Sequence, residues 1–129
     1  MPRLGPFSLL VRDYDEAIDW YTRILGFRLV VDEDQGHKRW VIVEGDGGCA
    51  LVLARAKNER EAAMVGDQHG GRIGFFLEVD DFDEAHARML ALGVHFEEGA
   101  RREPYGIVAI FRDLYGNRWD LIEPPAKAS

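Results

Sequence analysis

The heptapeptide VRDYDEA at 11–17 returns almost unchanged as VDDFDEA at 79–85. Each copy follows a short apolar run, FSLLV or IGFFLEV, and each leads through a helical stretch to LGF at 25–27 or LGV at 92–94. The order strand, cap, helix, glycine, strand is therefore written twice, which constrains the chain to two copies of one folding unit. Asp13 with Glu16, and Asp81 with Glu84, have the spacing of a capping box, in which the Asp accepts from an early helix N–H. After the first cap, Ala17, Trp20 or Tyr21, Ile24 and Leu25 recur at helical steps; after the second, Ala85, Met89 and Leu92 do so. Gly26 and Gly93 stand where a left-handed residue ends a helix cheaply.

Three strand-like segments follow each helix. They are 27–33, 37–44 and 49–54 in the first half, and 94–98, 106–112 and 118–123 in the second. Each half reads β-α-β-β-β, giving modules at about 5–54 and 72–125 of a single domain spanning 1–129, with a polar, partly helical linker at 55–71. Four strands and one helix leave a sheet face uncovered and an edge unpaired. The expected fold is α+β: two tandem modules forming a curved, eight-stranded mixed sheet around a cleft, with the helices outside.

A composition of 47% hydrophobic and 30% charged residues suits a soluble globular domain. No apolar run approaches the roughly 20 residues of a membrane span, and MPRLGPFSLL lacks the apolar core of a secretory signal, so a cytoplasmic location with no membrane partner is expected. A net charge of −7 argues against a nucleic-acid surface, and the basic run ARR at 100–102 lies among Glu97, Glu98 and Glu103 and reads as a solvated loop. The single cysteine, Cys49, excludes an internal disulfide and reads as a small core residue.

Three segments, LLVRDYDEAIDWYTRILGFRLV, FLEVDDFDEAHARMLALGVHF and FRDLYGNRWDLIEP, resemble the vicinal oxygen chelate superfamily of glyoxalase I, bleomycin-resistance proteins, fosfomycin-resistance enzymes and extradiol dioxygenases, in the right order over roughly 5–125. The resemblance implies metal ligands at a His seven residues before each capping Asp, and at a residue three after the Asn of the GN turn. In this sequence those points fall on Pro6, Gly74 and Asp120, with a fourth near Leu51. Proline, glycine and leucine offer no donor, and one carboxylate cannot hold a catalytic divalent cation, which usually needs about three protein ligands. No metal and no cofactor are expected. His37, His69, His86 and His95 form no local chelate, which leaves only a long-range pair such as His37 with His69 open, and His86, beside the second cap, reads as solvated.

Strand alternation places Ser8, Leu10, Phe76, Glu78, Asp120 and Ile122 toward the cleft, and Phe7, Leu9, Val11, Ile73, Phe75, Leu77, Trp119 and Leu121 toward the helices. The candidate ligand-binding residues are Ser8, Arg39, Trp40, Gln68, His69, Phe76, Tyr105 and Asp120. Trp40 and Tyr105 would flank a ligand, or pack in the core; Gln68 and His69 would reach over the cleft, or belong to a plain linker. Arg39 would meet a bound anion, or pair with Glu44 or a neighbouring strand. Asp120 would be a polar anchor, or an ion-pair partner of Arg118 or Arg12. Three functions fit these residues. The first is metal-independent binding of an aromatic or amphipathic molecule, in the manner of bleomycin-resistance proteins. The second is an enzyme of glyoxalase or dioxygenase type, with a displaced metal site or with acid–base chemistry on Asp120, Glu78 or a histidine. The third is a structural module whose cleft is filled by its own side chains. The unpaired strand edges, and the family's habit of pairing modules between chains, lead us to expect a homodimer.

Overall fold

The structure is a computed structural model that describes residues 1–126 of the 129. Its elements, in chain order, are β1 (Phe7–Val11), α1 (Tyr14–Arg23), β2 (Arg28–Asp34), β3 (Arg39–Glu44), β4 (Ala50–Arg55), α2 (Glu59–Met64), β5 (Ile73–Glu78), α3 (Phe82–Ala91), β6 (His95–Phe96), β7 (Arg101–Glu103), β8 (Gly106–Arg112) and β9 (Arg118–Glu123). The class is α+β as expected, and each unit opens strand, helix, strand, but the second carries one strand more than the repeat predicts, so the described residues form nine strands in two sheets where a single sheet of eight was expected. The strands form one sheet of four and one of five, and the chain divides into two compact units at the Gln68–His69 bond. Among the described residues, no helix is long and apolar enough to cross a membrane.

In the first unit the strand order is β1-β4-β3-β2, with β1 parallel to β4 and the other pairs antiparallel. Asp13 caps α1 by accepting from Glu16 N at 2.9 Å, and Gly26 leaves the helix with φ 78°. Ala17, Tyr21 and Ile24 of this helical stretch are buried with Leu9, Val11, Val41, Val43, Leu51 and Leu53 of the sheet. Leu9 pairs with Leu53 and Val43 with Leu51, so these apolar residues share one face. Fully burying one such aliphatic side chain contributes about 1.5–3 kcal/mol. The linker stays with this unit as far as Gln68. Asn58 caps α2, and the Gln68 side-chain amide accepts from Leu10 N at 2.8 Å and donates to Ser8 O at 2.7 Å. A side chain thereby stands in for a neighbouring strand on the open edge of β1.

The second unit has the order β5-β9-β8-β6, with β7 also on β8. Glu123 of β9 accepts from Phe82 N at 2.9 Å, so Trp119, Leu121 and Glu123 face α3. Rings from β5, β9, β8, β6 and α3 run in contact there: Phe75 on Trp119 at 4.7 Å, Trp119 on Phe111 at 5.7 Å, Phe111 near Phe96 at 5.7 Å, and Phe96 against His86 at 4.5 Å. His86 is therefore half-buried among aromatics, where the sequence suggested solvent. The β8–β9 turn is tied by Asp113, only 6% exposed, which accepts from the backbone of Tyr115 and Asn117, from Asn117 Nδ2 and from Trp119 Nε1 at 2.9–3.0 Å.

Three local expectations need correcting. The strand expected at 94–98 is only His95–Phe96, and the chain then returns as β7, so the ARR run is mostly strand and not a solvated loop. Its guanidinium at Arg101 is held by Glu98 and Glu103 at 2.7 and 2.6 Å, which removes the charge penalty of placing it on a sheet. Cys49 is exposed, because β4 begins one residue later and Cys49 belongs to the turn. Leu92 sits at the end of α3 and is 40% exposed.

Trp119→Ala should lower unfolding stability by about 3–5 kcal/mol through the cavity it leaves. Asp113→Ala should also be strongly destabilising, since each donor left without its acceptor costs about 1–3 kcal/mol. Denaturant titrations check both, and a loss below about 1 kcal/mol for either would contradict this account of the core.

Candidate functional site

Strand β9 presents two environments in alternation. Its odd-numbered residues face α3, which leaves Arg118, Asp120 and Ile122 on the opposite face, away from the only helix described in this unit. Across that face Asp120 lies between Phe76 of β5 and Ile110 of β8, and Ile122 lies between Glu78 and Val108. Arg118 lies beside Arg112, and Arg101 of β7 is opposite Val108.

The guanidinium groups here are engaged. Arg118 donates to both oxygens of Glu97 at 3.0 and 2.9 Å and to Gly71 O at 3.1 Å. Arg112 reaches the same carboxylate at 2.9 Å and Gly116 O at 3.2 Å. Hydrogen bonding to Arg118, helped by the charges of both guanidiniums, holds Glu97 below the ordinary carboxylate range. Arg101 binds Glu98 and Glu103, and Tyr105, in the turn between β7 and β8, is 53% exposed.

Asp120 is the exception. It is 7% exposed, and its Oδ1 is buried without a hydrogen-bond partner among the described residues. Burial pushes its pKa up; Arg101 opposes this, Glu98 adds to it, and Arg118 opposes it. The ion pairs considered for it do not form, because Arg118 binds Glu97 and Arg12 binds Glu16 at 2.7 Å. A buried carboxyl without donors is costly, and clusters at functional sites.

Strand β5 carries a bulge between Ile73 and Phe75. Ile73 consequently pairs with Arg118 and lies on the face of Asp120, not on the helix side as plain alternation predicts, whereas Phe75 pairs with Trp119. Within the bulge His69 packs directly on Gly74, so that a Cβ at this position would fall on its ring atoms, and it meets Phe75 edge-on at 4.8 Å. Phe76 follows on the open face, 62% exposed.

In the first unit, Arg39 reaches Asp15 of α1 at 2.9 Å and makes a two-pronged pair with Asp32 of β2 at 3.1 and 2.8 Å, with its guanidinium 5.2 Å over the Tyr14 ring. It serves the helix side of its sheet. Trp40 alternates to the other face, half-buried and opposite Glu33; Ser8 pairs with Val52, which pairs with Ile42 on that same face. The structure thus brings Phe76 and Asp120 side by side on the second sheet and Ser8 and Trp40 to one face of the first, whereas Tyr105 stands in the β7–β8 turn, five residues before Ile110, the β8 partner of Asp120. Arg39, Gln68 and His69 are held by intramolecular contacts. The Glu98–Arg101–Glu103 cluster escaped sequence reasoning, because its only signal is a mixed-charge run.

The positions that the family resemblance marks for metal ligands do not fit a metal. Pro6 and Gly74 carry no donor, and Leu51 is buried opposite Phe7. Among the described residues, no three of His, Cys, Asp or Glu converge to hold an ion.

A family model described as Glyoxalase/Bleomycin resistance protein/Dioxygenase superfamily matches residues 3–121. An uncharacterised protein of Shewanella frigidimarina is 45% identical over 120 residues, covering 90% of this chain and 89% of that one. Among solved structures, UcmS2 is similar at 29% identity with a TM-score of 0.81, covering 95% of this chain and 98% of that one. TnmS3, an antibiotic binding protein from Streptomyces sp. CB03234, is 31% identical with a TM-score of 0.78, covering 97% and 98%.

Because the folded chain raises the Asp120 pKa, the fold holds that proton more tightly than the unfolded chain does. The resulting contribution is fully present below the ordinary value of 3.8 and is lost as pH rises through the folded-state pKa. Asp120→Asn, which cannot ionise, should therefore be more stable than the parent near neutral pH and lose that advantage in acid. Thermal melts across the acidic range check this; curves that stay parallel would contradict it.

Proposed function

The chain belongs to the Glyoxalase/Bleomycin resistance protein/Dioxygenase superfamily, and within it we propose that the protein binds a small organic molecule without the family's metal site. The observation that carries this reading is the Asp120 carboxyl, whose Oδ1 is buried without a hydrogen-bond partner among the described residues, beside the exposed Phe76 on the sheet face opposite the helix; Tyr105 is a further proposed contact. Apolar and aromatic surface with one or a few polar anchors is the usual make-up of a small-molecule site. In the first unit, Ser8 and Trp40 are the proposed contacts; Arg39, Gln68 and His69 act through the scaffold they hold. The likeness to an antibiotic binding protein supports a binding role, although fold by itself does not fix function. A cytoplasmic location belongs to the same proposal, as does the lack of nucleic-acid and membrane partners, in keeping with the net charge of −7.

A library of aromatic compounds screened by thermal shift tests the proposal. For a compound that binds, Asp120→Asn should weaken affinity by about 1–3 kcal/mol, the range for a hydrogen bond to a charged group. Tyr105→Ala should weaken it too. Unchanged affinity in Asp120→Asn would remove the anchor from this account.

A second reading, acid–base catalysis by Asp120, is favoured by its raised pKa. Chemical conversion of the bound compound by the parent, abolished in Asp120→Asn, would establish it; recovery of the compound unaltered would leave binding alone.

We also propose a homodimer. Strands β1 and β2 end the first sheet and β5 and β6 end the second, and Phe7 is 53% exposed. Light scattering should give twice the chain mass, and a particle of 14.6 kDa at micromolar concentration would refute the dimer.

A further inference from the structure

We propose that the site anchored by Asp120 selects a cation, namely an organic molecule that carries a protonated amine on a planar apolar body. The inference rests on the binding role proposed above and adds the charge of what is bound.

Consider first what an anion would meet. The three guanidiniums of this face are each held by carboxylates at 2.6–3.0 Å: Arg101 by Glu98 and Glu103, and Arg112 and Arg118 by Glu97. Their charges are balanced one for one by Glu97, Glu98 and Glu103. An incoming carboxylate or phosphate would have to break charge-assisted bonds to gain equivalent ones. Asp120 and Glu78 lie on the same face outside these ion pairs, although the charges of Arg101 and Arg118 still act on Asp120.

A neutral hydroxyl would supply the donor that Asp120 lacks, and nothing more. An ammonium would supply the donor and a counter-charge in a place of reduced dielectric, where both are worth more than in water. The usual objection to a buried ion pair is the cost of drying both partners. Here the carboxyl is 7% exposed before any molecule arrives, so folding has already borne its share. Only the amine remains to be desolvated, and that preorganisation favours binding. Phe76, next to Asp120 in register and 62% exposed, offers a ring to the apolar body and to the positive charge alike. Ile110 and Ile122 continue the apolar surface on β8 and β9.

Three probes of one shape separate the possibilities: 2-naphthylmethylammonium, 2-naphthalenemethanol and 2-naphthoate. Each is titrated into the full-length parent, Asp120→Asn and Glu78→Gln at low ionic strength near neutral pH, by calorimetry and by the amide NMR signals of β9. The ammonium should bind about tenfold or more tightly than the alcohol, the factor expected of one charge-assisted hydrogen bond, and the naphthoate most weakly. Asp120→Asn should abolish the tenfold gap, whereas Glu78→Gln should retain most of it. Equal binding of ammonium and alcohol, both weakened in Asp120→Asn, would overturn the charge selection and leave the binding role standing. Tightest binding by naphthoate would overturn it as well, as would a loss in Glu78→Gln equal to that in Asp120→Asn. If no probe moves the β9 signals at millimolar concentration, the binding role falls, and this inference with it.

Discussion

A strand that pairs in parallel with another cannot be reached by a tight turn; the chain must cross over the sheet to return. Both units are built on such a pair, β1 with β4 and β5 with β9. In each, the chain leaves the first strand of the pair through a helix capped by an aspartate, Asp13 or Asp81. The helix covers one face of its sheet, and because side chains alternate with a period of two, that single fact assigns the strand residues to a side wherever the register is unbroken. Leu9, Val43 and Leu53 on one sheet, and Phe111, Trp119 and Leu121 on the other, become core. Trp40, Phe76 and Asp120 fall on the opposite side, backed by that core yet not part of it, and range from the exposed Phe76 to the buried Asp120.

The features with a local cause were legible in the sequence. Two caps, two terminating glycines and the apolar face of α1 follow from spacing alone, and the identities of the long strands follow from alternation; on α3 spacing found Met89 but missed Phe82 and misplaced Leu92. What failed was set at longer range. Plain alternation cannot see the bulge at Gly74, which turns Ile73 to the other side. Nor could spacing show that Arg101 would be neutralised by Glu98 and Glu103 and so be acceptable on a strand, or that His86 would lie between Phe82 and Phe96 at 5.1 and 4.5 Å. For the site, Asp120 was identifiable by its place after the GN turn, but its isolation was not. Two arginines that could have paired with it chose nearer carboxylates, and that choice exists only in three dimensions.

The second unit contains two well-buried aspartates with opposite treatment. Asp113 receives four hydrogen bonds, including one from the indole of the core tryptophan, and so joins the turn to the hydrophobic layer. Asp120, on the neighbouring strand, receives none within the described structure. The contrast separates a polar group that folding uses from one that folding tolerates. A network with all its members satisfied rigidifies its surroundings, while a bare carboxyl makes the fold less stable than it need be. Natural chains keep such groups where something other than stability is served.

The seat of His69 on Gly74 has a consequence for substitution. A side chain at 74 and the imidazole of 69 compete for one volume, so the two positions do not vary independently. Starting from this chain, any substitution that places a Cβ at 74 meets the ring, and it becomes sterically open only after 69 has been replaced by something smaller or turned aside. The backbone at 74 is not itself in the left-handed region, so the ring of 69 is what restricts that position. The two positions thus form one steric unit, in which the room for a side chain at 74 is set by what stands at 69.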